Sequence, residues 1–177
     1  SKKHVPIVFD HPQRFQREGF YSQKEILEAV NPDLETTYNN SAQYFLNKIS
    51  ESANEASNMI SQAWLNYSRQ VDYGIAPQDL DKIAALIEAK VPAKLYYTSF
   101  RDNAFDTHVH QSNLHQRLLT YASDAIRGFM NDIKRIGRED DVVLLVITEF
   151  GRRVPENTSL GTDHGSAGPM FIIGKPV

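Results

Sequence analysis

The run DVVLLVIT, Asp141–Thr148, is apolar without alternation. Successive side chains of a strand point to opposite faces, so a strand can be apolar throughout only where both faces are covered. The run therefore predicts an interior strand of a sheet with helices on each side, and it constrains the fold more than any other feature. Upstream, AKLYYTS, Ala93–Ser99, is rich in strand formers. Between the two, Leu114, Leu118, Tyr121, Ala122, Ala125, Ile126, Phe129 and Ile133 recur at helical spacing over Leu114–Ile136. Strand, helix, strand predicts a parallel pair, and PMFIIG, beginning at Pro169, supplies a third strand. The fold class is α/β: a parallel or mixed sheet with flanking helices in residues 93–177.

The earlier half reads as helix-rich. Residues 1–20 form an extended arm with a short strand at Val5–Phe9, and residues 21–92 form a helical segment. Within the latter, Ser22–Val30 suits a short helix, closed where Asn31 precedes Pro32 and is pushed out of the helical region. A long helix over Thr37–Val71 carries Phe45, Ile49, Ala53, Ala56, Ile60, Ala63 and Tyr67 on one face, with Glu51, Asn54, Glu55, Asn58 and Gln62 elsewhere. Trp64 packs that helix. PQDLDKIAALIEAK, Pro77–Lys90, opens with proline and acids and closes with lysine, as the helix dipole favours.

Charge and composition remove several function classes. A net charge of -3 with both signs interspersed leaves no basic face for a phosphate backbone, so nucleic acid is not the expected partner. The absence of cysteine removes disulfides, thiolate metal sites and a cysteine nucleophile. No apolar run reaches the roughly 18 residues of a membrane helix. At 177 residues the chain can bury a core if the fold is complete, yet it starts without methionine and ends on the strand-like FIIGKPV. The ends read as cut from something longer, so the sheet is expected to be incomplete.

Loops leaving the carboxyl ends of neighbouring parallel strands share one edge, where ligands bind. Two of these loops are unusually polar. FRDNAFDTHVHQ carries Asp106, His108 and His110; EFGRRVPENTSLGTDHG carries Glu149, Arg152, Arg153, Asp163 and His164. Carboxylates and imidazoles together suit a divalent cation such as zinc or manganese. Taken singly, each is ordinary: an exposed loop histidine, or a turn at Asp163 between Gly161 and Gly165. Their joint placement is what points to a site. Arg152 is the candidate for clamping an anionic ester, since its planar fork matches phosphate, sulfate and carboxylate. Arg153 reads as a surface residue paired with Glu156, and His115 either supports the site from behind or is solvated.

The stretches FDTHVHQ, His115, Leu118 and Leu119, and VVLLVITEFGRRVPENTSLGTDHGSAGPMFIIG resemble the bacterial domain-of-unknown-function family 1501, which is similar to the alkaline phosphatase and sulfatase superfamily. The likeness runs from about Leu80 to the end, and TEFGRR with GTDHG are its specific blocks. The resemblance implies an alkaline-phosphatase-like fold with divalent metal at the carboxyl edge of the sheet, and a bacterial, exported or periplasmic protein. Carried over by order, Asp106 and His110 match the superfamily's Asp-x-x-x-His element and His108 is the family's own histidine. Glu149 matches the strand-end acid, and His164, with Asp163 beside it, the later histidine. A simpler carry-over equates Asp163–His164 with the superfamily's strand-end Asp–His pair, although here the pair follows a long loop. Phe150 stands where the superfamily has a histidine, and no stretch resembles the segment that carries its Ser or Thr nucleophile.

The resemblance therefore implies a metal-dependent hydrolase of phosphate or sulfate esters, of which this chain alone is expected to show little turnover. The competing expectation is a non-catalytic binding or scaffold protein that forms homo-oligomers through its long helix or an open sheet edge.

Overall fold

The computed structural model describes residues 7–15, 41–100 and 103–177. Among the described residues the fold is mixed α/β, with three α-helices, α1 at Ser41–Asn66, α2 at Leu80–Glu88 and α3 at Gln111–Arg135, and small antiparallel sheets. The strands are β1 at Leu144–Ile147, β2 at Gly151–Arg152, β3 at His164–Gly165 and β4 at Met170–Ile173. The chain divides into two compact units. The first takes in the described residues up to Tyr67 together with Ala85–Val91; the second comprises Ser68–Ala84 and Pro92–Val177.

In the first unit a 3-10 turn at Pro12–Arg14 packs on α1. The His11 ring meets Trp64 edge-on at 5.6 Å, and the Ser57 hydroxyl donates to the Phe15 carbonyl. The apolar face expected on the long helix is covered only towards its end, since Ile60 is 3 % exposed and Phe45 is 64 % exposed. Ile7–Phe9 forms no strand, and the short helix expected at Ser22–Val30 lies outside the described residues.

The second unit is organised by α3. Ala125, Phe129 and Ile133 recur at helical spacing and are its buried apolar residues. Asp132 is fully buried on the same stripe, where Tyr73 donates its hydroxyl to Oδ2 at 2.8 Å and Arg135 donates Nε to Oδ1 at 2.6 Å. A buried carboxylate is tolerated only when its oxygens are engaged in this way. The helix ends in a Schellman arrangement: Gly137 takes φ +69°, and the Arg138 amide donates to the Ile133 carbonyl at 2.9 Å. In α2 the same role falls to Lys90 at φ 55°, with the Val91 amide on the Leu86 carbonyl at 3.0 Å.

The sheet departs from the parallel arrangement expected. β1 pairs antiparallel with β4, Leu144 opposite Ile173 and Ile147 opposite Met170. β2 pairs antiparallel with β3, Gly151 opposite Gly165 and Arg152 opposite His164. The chain leaves β1, passes through β2 and β3, and returns antiparallel beside the strand it left. Ala93–Ser99 forms no strand and takes part in neither ladder. Nor is β1 covered on both faces: Leu145 is 53 % and Ile147 60 % exposed, alternating with half-buried Leu144 and Val146.

Gly128 lets Tyr73 reach α3. A Cβ at this position would stand 2.7 Å from the Asp72 carbonyl oxygen and from Tyr73 Cα. Alanine in a helix interior ordinarily stabilises by about 1 kcal/mol over glycine. Here Gly128→Ala is expected to destabilise by about 1–3 kcal/mol through overpacking. Urea unfolding checks it, with a lower midpoint at unchanged slope the expected result.

Candidate metal centre

The first loop is shaped by a turn in which Asn103, at φ 50°, accepts the Asp106 amide at 2.8 Å. It ends at His110, which caps α3 in the left-handed conformation (φ 45°, ψ 45°) without a side-chain hydrogen bond. The amides of His110 and Gln111 donate instead to the carbonyls of Ser159 and Leu160 at 2.9 and 3.0 Å, so the second loop supplies the acceptors for the start of the helix. Gln111 adds a side-chain link. Its amide nitrogen donates to the Thr107 carbonyl at 3.0 Å and hydroxyl at 2.9 Å, while its oxygen accepts the Thr162 hydroxyl at 2.7 Å.

The second loop, 153–163, folds around Asn157. The Asn157 side-chain oxygen accepts the amides of Ser159 and Gly161 at 2.9 and 3.0 Å. Its nitrogen donates to the His108 carbonyl at 3.2 Å and to Asp163 Oδ1 at 3.1 Å. Gly161 permits the close approach, since a Cβ there would lie 2.1 Å from the His108 carbonyl oxygen.

These contacts bring Asp106, His108 and His164 together, with ligand atoms all within 4.8 Å of one another. His164 Nε2 lies 2.8 Å and His108 Nε2 2.9 Å from the same Asp106 oxygen, Oδ1. Hydrogen bonds from His164 first, and then from His108, hold the Asp106 carboxyl below the usual range, so it is ionised at neutral pH. The imidazoles lie 4.7 Å apart, and the Phe150 ring stacks on His164 at 3.8 Å and 14°. The group faces solvent: the Asp106 and His164 side chains are 41 % and 44 % exposed.

Other expected site residues take different places. Asp163 stands beside the group, 3.9 Å from His108 Nδ1. His110 and Glu149 are exposed and stand outside the cluster. Arg152 donates Nη1 to the Thr162 carbonyl and Nη2 to the Phe105 carbonyl, each at 2.6 Å, so these two nitrogens are engaged by backbone. His115 packs edge-on against Phe105 at 5.6 Å, with Nδ1 buried and without a hydrogen-bond partner. Asn157 and Gln111 were not singled out by the sequence; the one available signal was an asparagine four residues before a glycine in a long loop.

A family model matches residues 84–176, more than half of the chain and the whole of this site. The chain belongs to that family. Its description is Protein of unknown function (DUF1501). No curated protein and no solved structure matches the chain. The matched region contains α3, both loops and β1 to β4, so the cluster lies wholly within the DUF1501 portion.

Burial, and then the Arg152 charge, push the His115 imidazole below its usual pKa. The unfolded chain, with an ordinary histidine near about 6.5, then binds more protons than the folded one in the window below that value. Stability contributed by neutral His115 is present above the unfolded pKa and is lost as pH falls from there through the depressed folded value. His115→Gln is expected to flatten the fall of unfolding free energy on acidification, as measured by urea titrations at stepped pH.

Proposed function

We propose that Asp106, His108 and His164 hold one divalent cation of the zinc or manganese type, in a metal-dependent hydrolase of anionic phosphate or sulfate esters with an alkaline-phosphatase-like core. The observation that carries this reading is the meeting of Asp106 and His164, 58 residues apart, on one carboxylate oxygen shared with His108.

The donor set suits the cation. Bond lengths of about 2.0–2.2 Å to nitrogen and oxygen in a tetrahedral site imply ligand separations of about 3.3–3.5 Å. The two contacts to Asp106, 2.8 and 2.9 Å, open by a few tenths of an ångström as a metal replaces the hydrogen-bonding protons, and all three ligand atoms lie within 4.8 Å of one another. One carboxylate and two neutral imidazoles favour a borderline ion over calcium or magnesium. Three protein ligands leave coordination open, as in hydrolytic rather than closed structural centres. A bound cation supplies the charge that polarises a phosphoryl or sulfuryl oxygen.

The chain's own residues do the remaining work in this reading. Phe150 holds the His164 ring by stacking. Asn157 donates to both the His108 carbonyl and Asp163, which keeps a carboxylate 3.9 Å from His108 Nδ1.

Calorimetric titration of Zn2+ and Mn2+ into chelator-stripped protein tests the reading. One equivalent is expected to bind. Asp106→Ala and His164→Ala should each weaken binding at least about 100-fold, the upper end of the roughly 10–100-fold that losing only an outer partner of a ligand costs, and His110→Ala should bind as wild type does. Undiminished binding by Asp106→Ala would sink the assignment.

A further inference from the structure

We infer that Arg152 is a positioning residue: its guanidinium fork sets the separation of Asp106 and His164, and so the affinity of the metal site. The inference rests on the metal reading above. The carbonyls that Arg152 holds are not arbitrary. Phe105 immediately precedes Asp106, and Thr162 lies two residues before His164. One planar group therefore grips the backbone beside a ligand in each of two loops that are remote in sequence. Arg152 also faces His164 across the β2–β3 ladder. Its Cζ lies 5.0 Å from the centre of the Phe150 ring, which stacks on the His164 imidazole.

Two features separate this role from substrate binding and from surface solvation. The short bonds, both 2.6 Å, end on backbone carbonyls rather than on an open anion site. Arg152 Nε is buried without a hydrogen-bond partner, a desolvation cost that a solvated arginine does not carry. Lysine cannot reproduce the arrangement. Its ammonium is a compact point charge, whereas the guanidinium presents donors in a rigid fork that spans two acceptors at once.

The experiment uses the full chain as wild type, Arg152→Lys, Arg152→Ala and Phe150→Leu. Chelator competition measures Zn2+ affinity, and carbon-edited proton NMR of metal-free protein reads the His164 ring protons, which Phe150 shields by ring current. Arg152→Lys is expected to bind Zn2+ roughly 10–100-fold more weakly, as loss of an outer-shell partner does. Its His164 signals should move towards their position in Phe150→Leu. Methylguanidinium is expected to restore the affinity of Arg152→Ala but not of Arg152→Lys, an effect that a general loss of stability would not show. If Arg152→Ala does not fold, Arg152→Lys carries the test, since it keeps the aliphatic stem and the charge. Wild-type Zn2+ affinity in Arg152→Lys with unmoved His164 signals overturns the inference. Should the wild type bind no Zn2+, the metal reading fails by itself; the NMR comparison then decides the positioning role, and unmoved signals overturn it.

Discussion

The site depends on one docking: the start of α3 lies against the second polar loop and has its amides satisfied there. Those amides need acceptors because the first amides of any helix lack partners within it. No side chain of His110 supplies one, so the carbonyls of Ser159 and Leu160 do. Once that docking forms, the remaining links have little freedom. Gln111 reaches Thr107 on one side and Thr162 on the other, and Asn157 reaches the His108 carbonyl. His164 is then carried to Asp106.

That assembly explains the composition of the loops. Their polar side chains largely satisfy backbone groups that a ladder would satisfy in a regular sheet. Asn157 takes two amides and gives two hydrogens; Arg152 takes up two carbonyls. The exposed imidazoles and carboxylate of the cluster are the groups left over for chemistry. Gly161 against His108 and Gly151 against Ala167 stand at crossings where a Cβ would collide.

Much of the architecture was legible in the pattern. The helical spacing around Phe129 and Ile133 produced α3 with its core stripe, and PQDLDKIAALIEAK contained α2. The strand runs at Asp141–Thr148 and PMFIIG contained β1 and β4. Neither pairing nor cover was legible, because an apolar run marks a strand and not what lies beside it or over it. Hence the parallel partner expected at Ala93–Ser99 forms no strand, and β1 and β4 meet antiparallel with apolar side chains exposed. Arg152 shows the same limit at the site. Its residue type announces a fork for two oxygens, but whether those oxygens belong to a substrate or to the backbone is a matter of distance.

By itself the sequence determined the chemical inventory: acids and imidazoles crowded into two loops, with no thiol and a net charge of -3. Those properties are local, read from residue type and spacing. Only the tertiary structure decided which members meet. Asp106, His108 and His164 converge while His110, the exposed cap of α3, and Glu149 stay outside the cluster. The physical reason is that convergence across 58 residues is set by hydrogen bonds between loops, which depend on where α3 begins and how the chain returns from β2 to β3. No periodicity along the chain encodes such a meeting.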